Sequence, residues 1–228
     1  MKQHKLEIVL AIFFLGAFLA FWLWQNPSLI GGKLRAHDID RYLASIDRQV
    51  QQPQAQKQQF LARLRSWAEA DDGKPVYMLN LMRYYDMLRR SDVAVDFQGT
   101  PEESNAFYER KVTPLLVRRG GYPLIGGKAE GKNLVGFNNA VDDWSRVLMV
   151  RYPDRRAFLS LLADPAYGPL VPYKMMAVEL VLVPVAGDVV IPDLRVAFGG
   201  LLLITFLTIA WFRAIRRSAK RPLTTAAV

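Results

Sequence analysis

Val76–Met82 reads VYMLNLM, a compact apolar run in which Asn80 is the one amide. Gly73-Lys74-Pro75 comes directly before it. A short apolar run with aromatic and β-branched residues, bounded by turn-forming residues, is typical of a buried strand. We therefore predict a strand at Val76–Met82, around which the central part of the chain can be arranged.

Strand and helix patterns alternate after this run. Thr100-Pro101-Glu102-Glu103 predicts a helix start, because it offers an N-cap threonine, a proline at the first helical position and a glutamate three residues after the cap. This helix should run to about Arg119, kink at Pro114 and end at Gly120-Gly121. The other predicted elements are strands at Tyr122–Gly126 (with Lys132–Phe137 continuing the hairpin), Val147–Tyr152 and Ala177–Val185, and a helix at Arg155–Ala163. The order β-α-β-β-α-β predicts an α+β, ferredoxin-like domain.

A polar stretch with helical periodicity, Asp38–Asp71, precedes this domain, and Pro53 should divide it into two helices. The predicted organisation has five parts: 1–25, an N-terminal transmembrane helix; 26–73, a connector and helical segment; 74–187, the ferredoxin-like domain; 188–213, a C-terminal transmembrane helix; and 214–228, a basic tail.

Several motifs of the central domain resemble those of one family. They are Pro75–Tyr84, Phe107-Tyr108, Val112–Leu116, Gly120-Gly121, Trp144, Val150–Arg155 and Ala163–Tyr167. Together they are similar to DUF1330-like proteins of the dimeric α/β-barrel superfamily, over about Pro75–Val185. The resemblance implies a homodimer in which two sheets pack face to face, with a pocket between the sheet and the helices of each protomer. The superfamily contains cofactor-free monooxygenases, haem-degrading enzymes, isomerases and non-catalytic members, so the fold does not define the function.

One departure from the family concerns the residues before the last strand. Many relatives carry a His-Arg pair there, whereas this chain has Tyr173-Lys174. Lys174 keeps a cation, but an ammonium group titrates near neutral pH only when burial strongly shifts its pKa.

Two long apolar segments lie near the ends of the chain, at Leu6–Trp24 and Leu194–Phe212. A membrane-spanning helix needs about 20 apolar residues, so both are predicted to cross a membrane. Basic residues next to both segments place the two termini in the cytoplasm. The expected location is the cell (inner) membrane, with two spans and the central domain on the periplasmic, extracytoplasmic side.

The formal net charge of +9 comes largely from these terminal basic residues. It therefore indicates contact with anionic membrane lipid rather than with nucleic acid. The chain has no cysteine, which excludes disulfides, thiolate metal sites and cysteine nucleophiles. Its two histidines, His4 and His37, lie outside the central domain, so we expect neither a metal site nor a cofactor there.

The candidate pocket residues are Asn80, Arg83, Tyr84, Tyr108, Trp144 and Lys174. A buried amide such as Asn80 must be hydrogen-bonded, either to a ligand or to neighbouring backbone. Arg83 and Tyr84 lie where the first strand ends, at a pocket mouth or in solvent. Tyr108 and Trp144 suit a pocket or the core, because their rings are apolar at one edge and polar at the other.

Two functions are compatible with these residues. The first is a binding or accessory module, anchored in the membrane, that recruits a small ligand or a membrane protein. The second is a cofactor-independent oxygenase or isomerase acting on an apolar molecule, with Asn80, Tyr84, Trp144 and Lys174 providing orientation and electrostatic stabilisation.

Overall fold

The structure is a computed structural model that describes residues 2–50, 53–89, 95, 97–136, 142–187 and 194–219, with only the backbone described at 2–8, 10–11, 194–199 and 217–219. The chain divides into two compact units, Met1–Gly187 and Asp188–Val228.

The first unit contains four helices, then a sheet with further helices in its connections. The helices are α1 (Lys2–Gln25), α2 (Ser28–Gly31), α3 (Ala36–Gln49), α4 (Gln54–Glu69), α5 (Pro101–Arg118), α6 (Arg155–Leu162) and α7 (Val171–Met175). The strands are β1 (Val76–Tyr84), β2 (Tyr122–Lys128), β3 (Arg146–Tyr152) and β4 (Val178–Ala186). A short 3-10 helix, Gly168–Leu170, precedes α7. In the second unit the structure describes one helix, α8 (Leu194–Ala219).

The sheet is antiparallel and its strand order is β2-β3-β1-β4. Asn80 of β1 lies opposite Leu148 of β3 and Leu182 of β4, which places it in the middle of the sheet. This order, with one helical connection between β1 and β2 and another between β3 and β4, is the arrangement of ferredoxin-like domains. The predicted α+β class with a four-stranded antiparallel sheet is therefore confirmed.

The first strand extends to Tyr84, two residues beyond the prediction, and helix α5 begins and ends within a residue of the expected positions. Thr100 caps α5 as predicted, since its hydroxyl accepts from the Glu103 N–H while the Glu103 carboxylate accepts from the Thr100 N–H. The predicted continuation of the hairpin over Lys132–Phe137 is wrong for its described residues, which contain no strand from Lys132 to Gly136. Phe137 lies outside the described residues.

The core lies on one face of the sheet, where the helices pack. It unites Ile39, Leu43 and Ile46 of α3, Leu64 and Ala68 of α4, Val76 and Met78 of β1, Tyr108, Val112 and Leu116 of α5, Val150 and Tyr152 of β3, and Ala157, Phe158, Leu159 and Leu161 of α6. The spacing of the α5 residues is that of one helix face, and the alternation in β1 and β3 is that of one sheet face. Among the described residues, no helix of this core packs on the opposite face of the sheet.

The end of α1 is tied to the domain by Gln25. Its side chain is buried, donates to the Gly120 carbonyl at 3.2 Å and accepts from the Arg151 guanidinium at 2.7 Å. The turn at Gly120 (φ 74°) brings the chain so close to the Trp24 carbonyl that a Cβ there would lie 3.1 Å from it. A left-handed, crowded turn of this kind favours glycine.

Among the described residues, no helix has the length and apolarity needed to cross a membrane. The predicted spans at Leu6–Trp24 and Leu194–Phe212 are therefore wrong, and so is the two-span membrane localisation derived from them. The physical criterion is about 20 consecutive apolar residues within one helix, and the described part of each terminal helix does not meet it. Contact with lipid or with a membrane protein stays a prediction.

Candidate ligand-binding site

A cavity of about 920 Å³ lies between the sheet and the helices of the first unit. Its sheet side is formed by inward-facing residues such as Met78, Leu148 and Val150, and its helix side by Val112 and Leu116. Ligand pockets in proteins typically have volumes of roughly 300–1,000 Å³, apolar walls and a few polar groups at fixed positions. The cavity has this volume, largely apolar walls and a few polar groups.

Lys174 is the buried cation of this cavity, with only 6% of its surface exposed. The short helix α7, which leads into β4, carries it. Its Nζ donates to Asn80 Oδ1 at 2.8 Å and lies 5.2 Å from the centre of the Tyr108 ring. Burial lowers the pKa of Lys174 to about 8; the Glu109 carboxylate acts in the opposite direction and the Arg146 guanidinium in the same direction.

Asn80 is buried in β1, and its amide has a fixed orientation. Its Nδ2 donates to the Met78 carbonyl at 3.1 Å and to the Leu148 carbonyl at 3.2 Å. Because both amide protons are directed to backbone carbonyls, Oδ1 is the atom presented to Lys174. The isolated amide in the apolar run is therefore both bonded to backbone and part of the cavity wall.

An ion pair joins helix α5 to strand β3 beside Lys174. The Arg146 guanidinium donates to both Glu109 oxygens, at 3.0 Å and 2.9 Å, and about a quarter of each side chain is exposed. Asn105, one helical turn before Glu109, donates to the same carboxylate at 2.9 Å and to the Tyr84 hydroxyl at 3.4 Å. This geometry is the bidentate arrangement that arginine forms with carboxylates, so it fixes the position of both charges.

Three tyrosines complete the polar side of the site: Tyr108 and Tyr152 are buried, and Tyr167 is half-buried. The hydroxyls of Tyr108 and Tyr167 lie 3.1 Å apart, and both residues, with Tyr152, line the cavity. Burial raises the pKa of all three phenols, so they are protonated near neutral pH. In a pair of hydroxyls one proton forms the mutual bond, and the other can be donated to a further acceptor.

The structure brings together Asn80, Tyr108 and Lys174, and Tyr84 joins this group through Asn105. Arg83 instead pairs with Glu179 and lies 3.4 Å from Asp143, and is not among the residues lining the cavity. Trp144 is half-buried before β3 and also does not line the described cavity. The assignment of functional roles to these six residues stays a prediction.

Sequence reasoning missed Glu109, Arg146 and Asn105. Each of them carries a signal that is visible afterwards. Asn105 and Glu109 share the helix face of Tyr108 and Val112, which is otherwise the core face of α5. Arg146 has the same alternation phase as Leu148, Val150 and Tyr152. Charges at inward positions of α5 and β3 predict an ion pair between the two elements. This prediction can be made only once it is known that α5 packs against β3.

In the part of the chain described above, no cluster of three or more His, Cys, Asp or Glu side chains could hold a metal ion. The polar groups of the cavity are instead an ammonium, an amide, an ion pair and phenols. Such groups bind and orient an oxygen-bearing ligand through hydrogen bonds and charge.

No family model and no curated protein matches the chain. Solved structures do. The RPA0582 protein of unknown function from Rhodopseudomonas palustris is 28% identical, covering 59% of this chain and 94% of its own, with a TM-score of 0.46. SnoaB, a cofactor-independent oxygenase from Streptomyces nogalater, is 16% identical, covering 53% of this chain and 99% of its own, with a TM-score of 0.34.

Proposed function

We propose that the first unit is a binding module for a small, largely apolar molecule that carries an anionic or carbonyl oxygen. The observation that carries this proposal is the buried contact between Lys174 and Asn80 in the wall of the cavity. An ammonium group that loses its water on burial needs compensating partners, and within the described residues Asn80 Oδ1 provides its one hydrogen bond. A ligand oxygen would supply the missing interaction.

The surroundings favour a ligand oxygen over a ligand cation. Arg146 adds a second positive charge near Lys174, whereas the carboxylate of Glu109 is already engaged by Arg146 and Asn105. The rest of the cavity wall is mostly aliphatic and aromatic, which suits a hydrocarbon skeleton. The expected ligand is thus an amphipathic molecule whose polar end lies at Lys174.

Titration with 2-naphthoate, an aromatic carboxylate that the cavity can hold, tests this function. Chemical shifts of cavity residues should change on binding, and Lys174→Met should weaken binding about tenfold or more, since a hydrogen bond to a charged group contributes about 1.5–3 kcal/mol. Lys128→Met, at an exposed position of β2, is the control and should bind normally. Equal affinity of the two variants would contradict the proposed role of Lys174.

A cofactor-independent isomerase or oxygenase is the second candidate, and the low pKa of Lys174 favours it. A neutral amine beside a bound carbonyl compound can remove a proton from the adjacent carbon. Exchange of the α-hydrogens of 2-tetralone in D2O tests this activity. Exchange that is faster with the wild type than with Lys174→Met supports it, and equal rates would count against it.

Homodimerisation through the uncovered sheet face belongs to the same proposal. Two cross-strand rows on this face are apolar: Met149, Leu79 and Val183 form one, and Val147, Leu81 and Val181 the other. Val181 and Val183 are about 40% exposed. A contiguous apolar patch of this kind on a monomer indicates an interaction surface.

A further inference from the structure

In the described part of the chain, no carboxylate is hydrogen-bonded to Lys174 Nζ. Lys174 therefore differs from a lysine that is held in an ion pair. Its partner is a neutral amide oxygen, Asn80 Oδ1, at 2.8 Å. The acidic group that raises its pKa, Glu109, is held in two hydrogen bonds by Arg146. The amine is therefore not locked into its charged form by a direct ion pair.

The environment favours the neutral amine in two ways. Burial removes water from Nζ, and the Arg146 guanidinium opposes a second positive charge. Lysines that act as nucleophiles are activated in this manner, by an apolar pocket or by a neighbouring cation. A neutral Lys174 can donate one N–H to Asn80 Oδ1 and keep its lone pair free to attack.

A proton donor is also present in the same cavity. The Tyr108 and Tyr167 hydroxyls share one hydrogen bond at 3.1 Å, so the second phenolic proton is available to a ligand oxygen. Both phenols keep their protons near neutral pH, since burial raises the pKa of each. An attacking amine and a proton donor that face one apolar cavity are the components needed for addition to a carbonyl group.

We propose that Lys174 captures an apolar aldehyde or ketone by forming an imine with its carbonyl carbon. The lone pair of Nζ forms the C–N bond as the carbonyl π bond breaks, and a tyrosine hydroxyl protonates the carbonyl oxygen. One nitrogen proton then returns to the tyrosinate, and the second leaves with the oxygen as the C–O bond breaks, which releases one water molecule and requires no oxidant or reductant. This inference deepens the proposed binding function and depends on it for the placement of the carbonyl end at Lys174.

Reductive trapping with 2-naphthaldehyde and sodium cyanoborohydride tests the imine, with each lysine read out by peptide mass spectrometry. Lys174 should be modified about tenfold faster or more than Lys74, whose side chain is largely exposed, because each unit of pKa changes the neutral fraction tenfold. The comparison is made within one wild-type protein and therefore does not depend on the folding of a variant. Modification of Lys174 at or below the rate of Lys74 would overturn the imine.

A parallel titration with 2-naphthoate separates failure of the imine from failure of the binding function. If naphthoate binds and Lys174 is not preferentially trapped, the imine is refuted and the binding function stands. If neither reagent engages the cavity, both are refuted. Lys174→Arg, checked for folding by near-ultraviolet circular dichroism, should keep naphthoate binding and lose the fast modification of the 171–175 peptide.

Discussion

Lys174 Nζ lies 2.8 Å from Asn80 Oδ1, and both side chains are almost fully buried. The contact joins the helix before the last strand to the centre of the first strand. Because the amide protons of Asn80 are bonded to two backbone carbonyls, its oxygen cannot be exchanged for its nitrogen without losing three hydrogen bonds. The amide therefore holds the amine at one place in the cavity wall.

A double-mutant cycle measures the strength of this contact. Asn80→Leu leaves the Lys174 ammonium without its hydrogen-bond acceptor and should lower the free energy of unfolding by about 1–3 kcal/mol. Adding Lys174→Met removes the orphaned charge, so the double variant should be more stable than Asn80→Leu alone. Urea denaturation of the four proteins gives the coupling energy. Strictly additive effects of the two substitutions would show that the two side chains do not interact energetically.

The pH dependence of stability should report the burial of Lys174. Its pKa is about 8 in the folded state and about 10.5 when unfolded. Between these values the unfolded chain binds more protons, so the free energy of unfolding rises with pH from about 8 to about 10. Above this window, ionisation of tyrosines in the unfolded chain lowers stability, because burial raises the pKa of Tyr108, Tyr152 and Tyr167 in the fold.

Lys174→Met provides the comparison that isolates this effect. The pKa difference corresponds to a rise on the order of 3 kcal/mol across the window, which the variant should lack. Below pH 8 the variant should accordingly be the more stable protein, since it no longer buries a charge. Urea denaturation at pH 7, 8, 9 and 10 gives both curves, and parallel curves would contradict the burial of the ammonium.

Glu109 and Arg146 should shift the pKa of Lys174 in opposite directions. Glu109→Gln removes an anion that stabilises the ammonium and frees the Arg146 cation, so the pKa of Lys174 should fall below about 8. Arg146→Gln removes the opposing cation and frees the Glu109 carboxylate, so the pKa should rise. The pH dependence of Lys174 acetylation by acetic anhydride, read against Lys74, gives both values. A shift in the same direction for both variants would be incompatible with this electrostatic environment.

Much of the fold could be predicted because local signals and tertiary structure agree. The apolar run at Val76–Met82 favours a buried strand and the capping box at Thr100 favours a helix start, each from local residues alone. The strand prediction at Lys132–Phe137 was wrong, because the segment lacks the alternation of apolar and polar residues that marks a half-buried strand. The predicted membrane spans were wrong because, among the described residues, no helix is both long and apolar enough to cross a membrane.

The site was predicted only in part. Asn80 could be found because an amide within an apolar strand is conspicuous, and Lys174 because the resemblance to DUF1330-like proteins directed attention to Tyr173-Lys174. Glu109 could not be found, because one carboxylate in a charged helix has the pattern of a solvated residue until the face of α5 that packs on the sheet is known. Long-range packing thus determines which charges enter the cavity.

Asp154 offers a test of helix capping against the burial of charge. Its carboxylate accepts from the Ala157 N–H at 2.7 Å as the N-cap of α6, while burial raises its pKa and Oδ2 has no partner among the described atoms. Asp154→Ala should cost about 1 kcal/mol through the lost cap. Asp154→Asn keeps the cap and removes the buried charge, so it should be at least as stable as the wild type at pH 7.

The pH dependence distinguishes these two contributions of Asp154. Because the carboxyl pKa of Asp154 is raised in the fold, the folded protein takes up a proton at a higher pH than the unfolded chain does. The free energy of unfolding of the wild type should therefore rise relative to that of Asp154→Asn as the pH falls through the folded pKa. Thermal melts of the three proteins at pH 7 and pH 4 provide the measurement. If Asp154→Asn lowers the thermal stability as much as Asp154→Ala does, the charge of Asp154 itself stabilises the cap.

The uncovered sheet face should mediate dimerisation, and a single charge at its centre should prevent it. Val183→Asp places a carboxylate in the apolar row formed with Leu79 and Met149, where burial against a second copy would leave it without a partner. Val117→Asp is the matched control, because Val117 on α5 is 41% exposed and Val183 is 40% exposed. Sedimentation velocity should give a dimer for the wild type and the control, and a monomer for Val183→Asp. A dimer that persists in Val183→Asp would exclude this face as the interface.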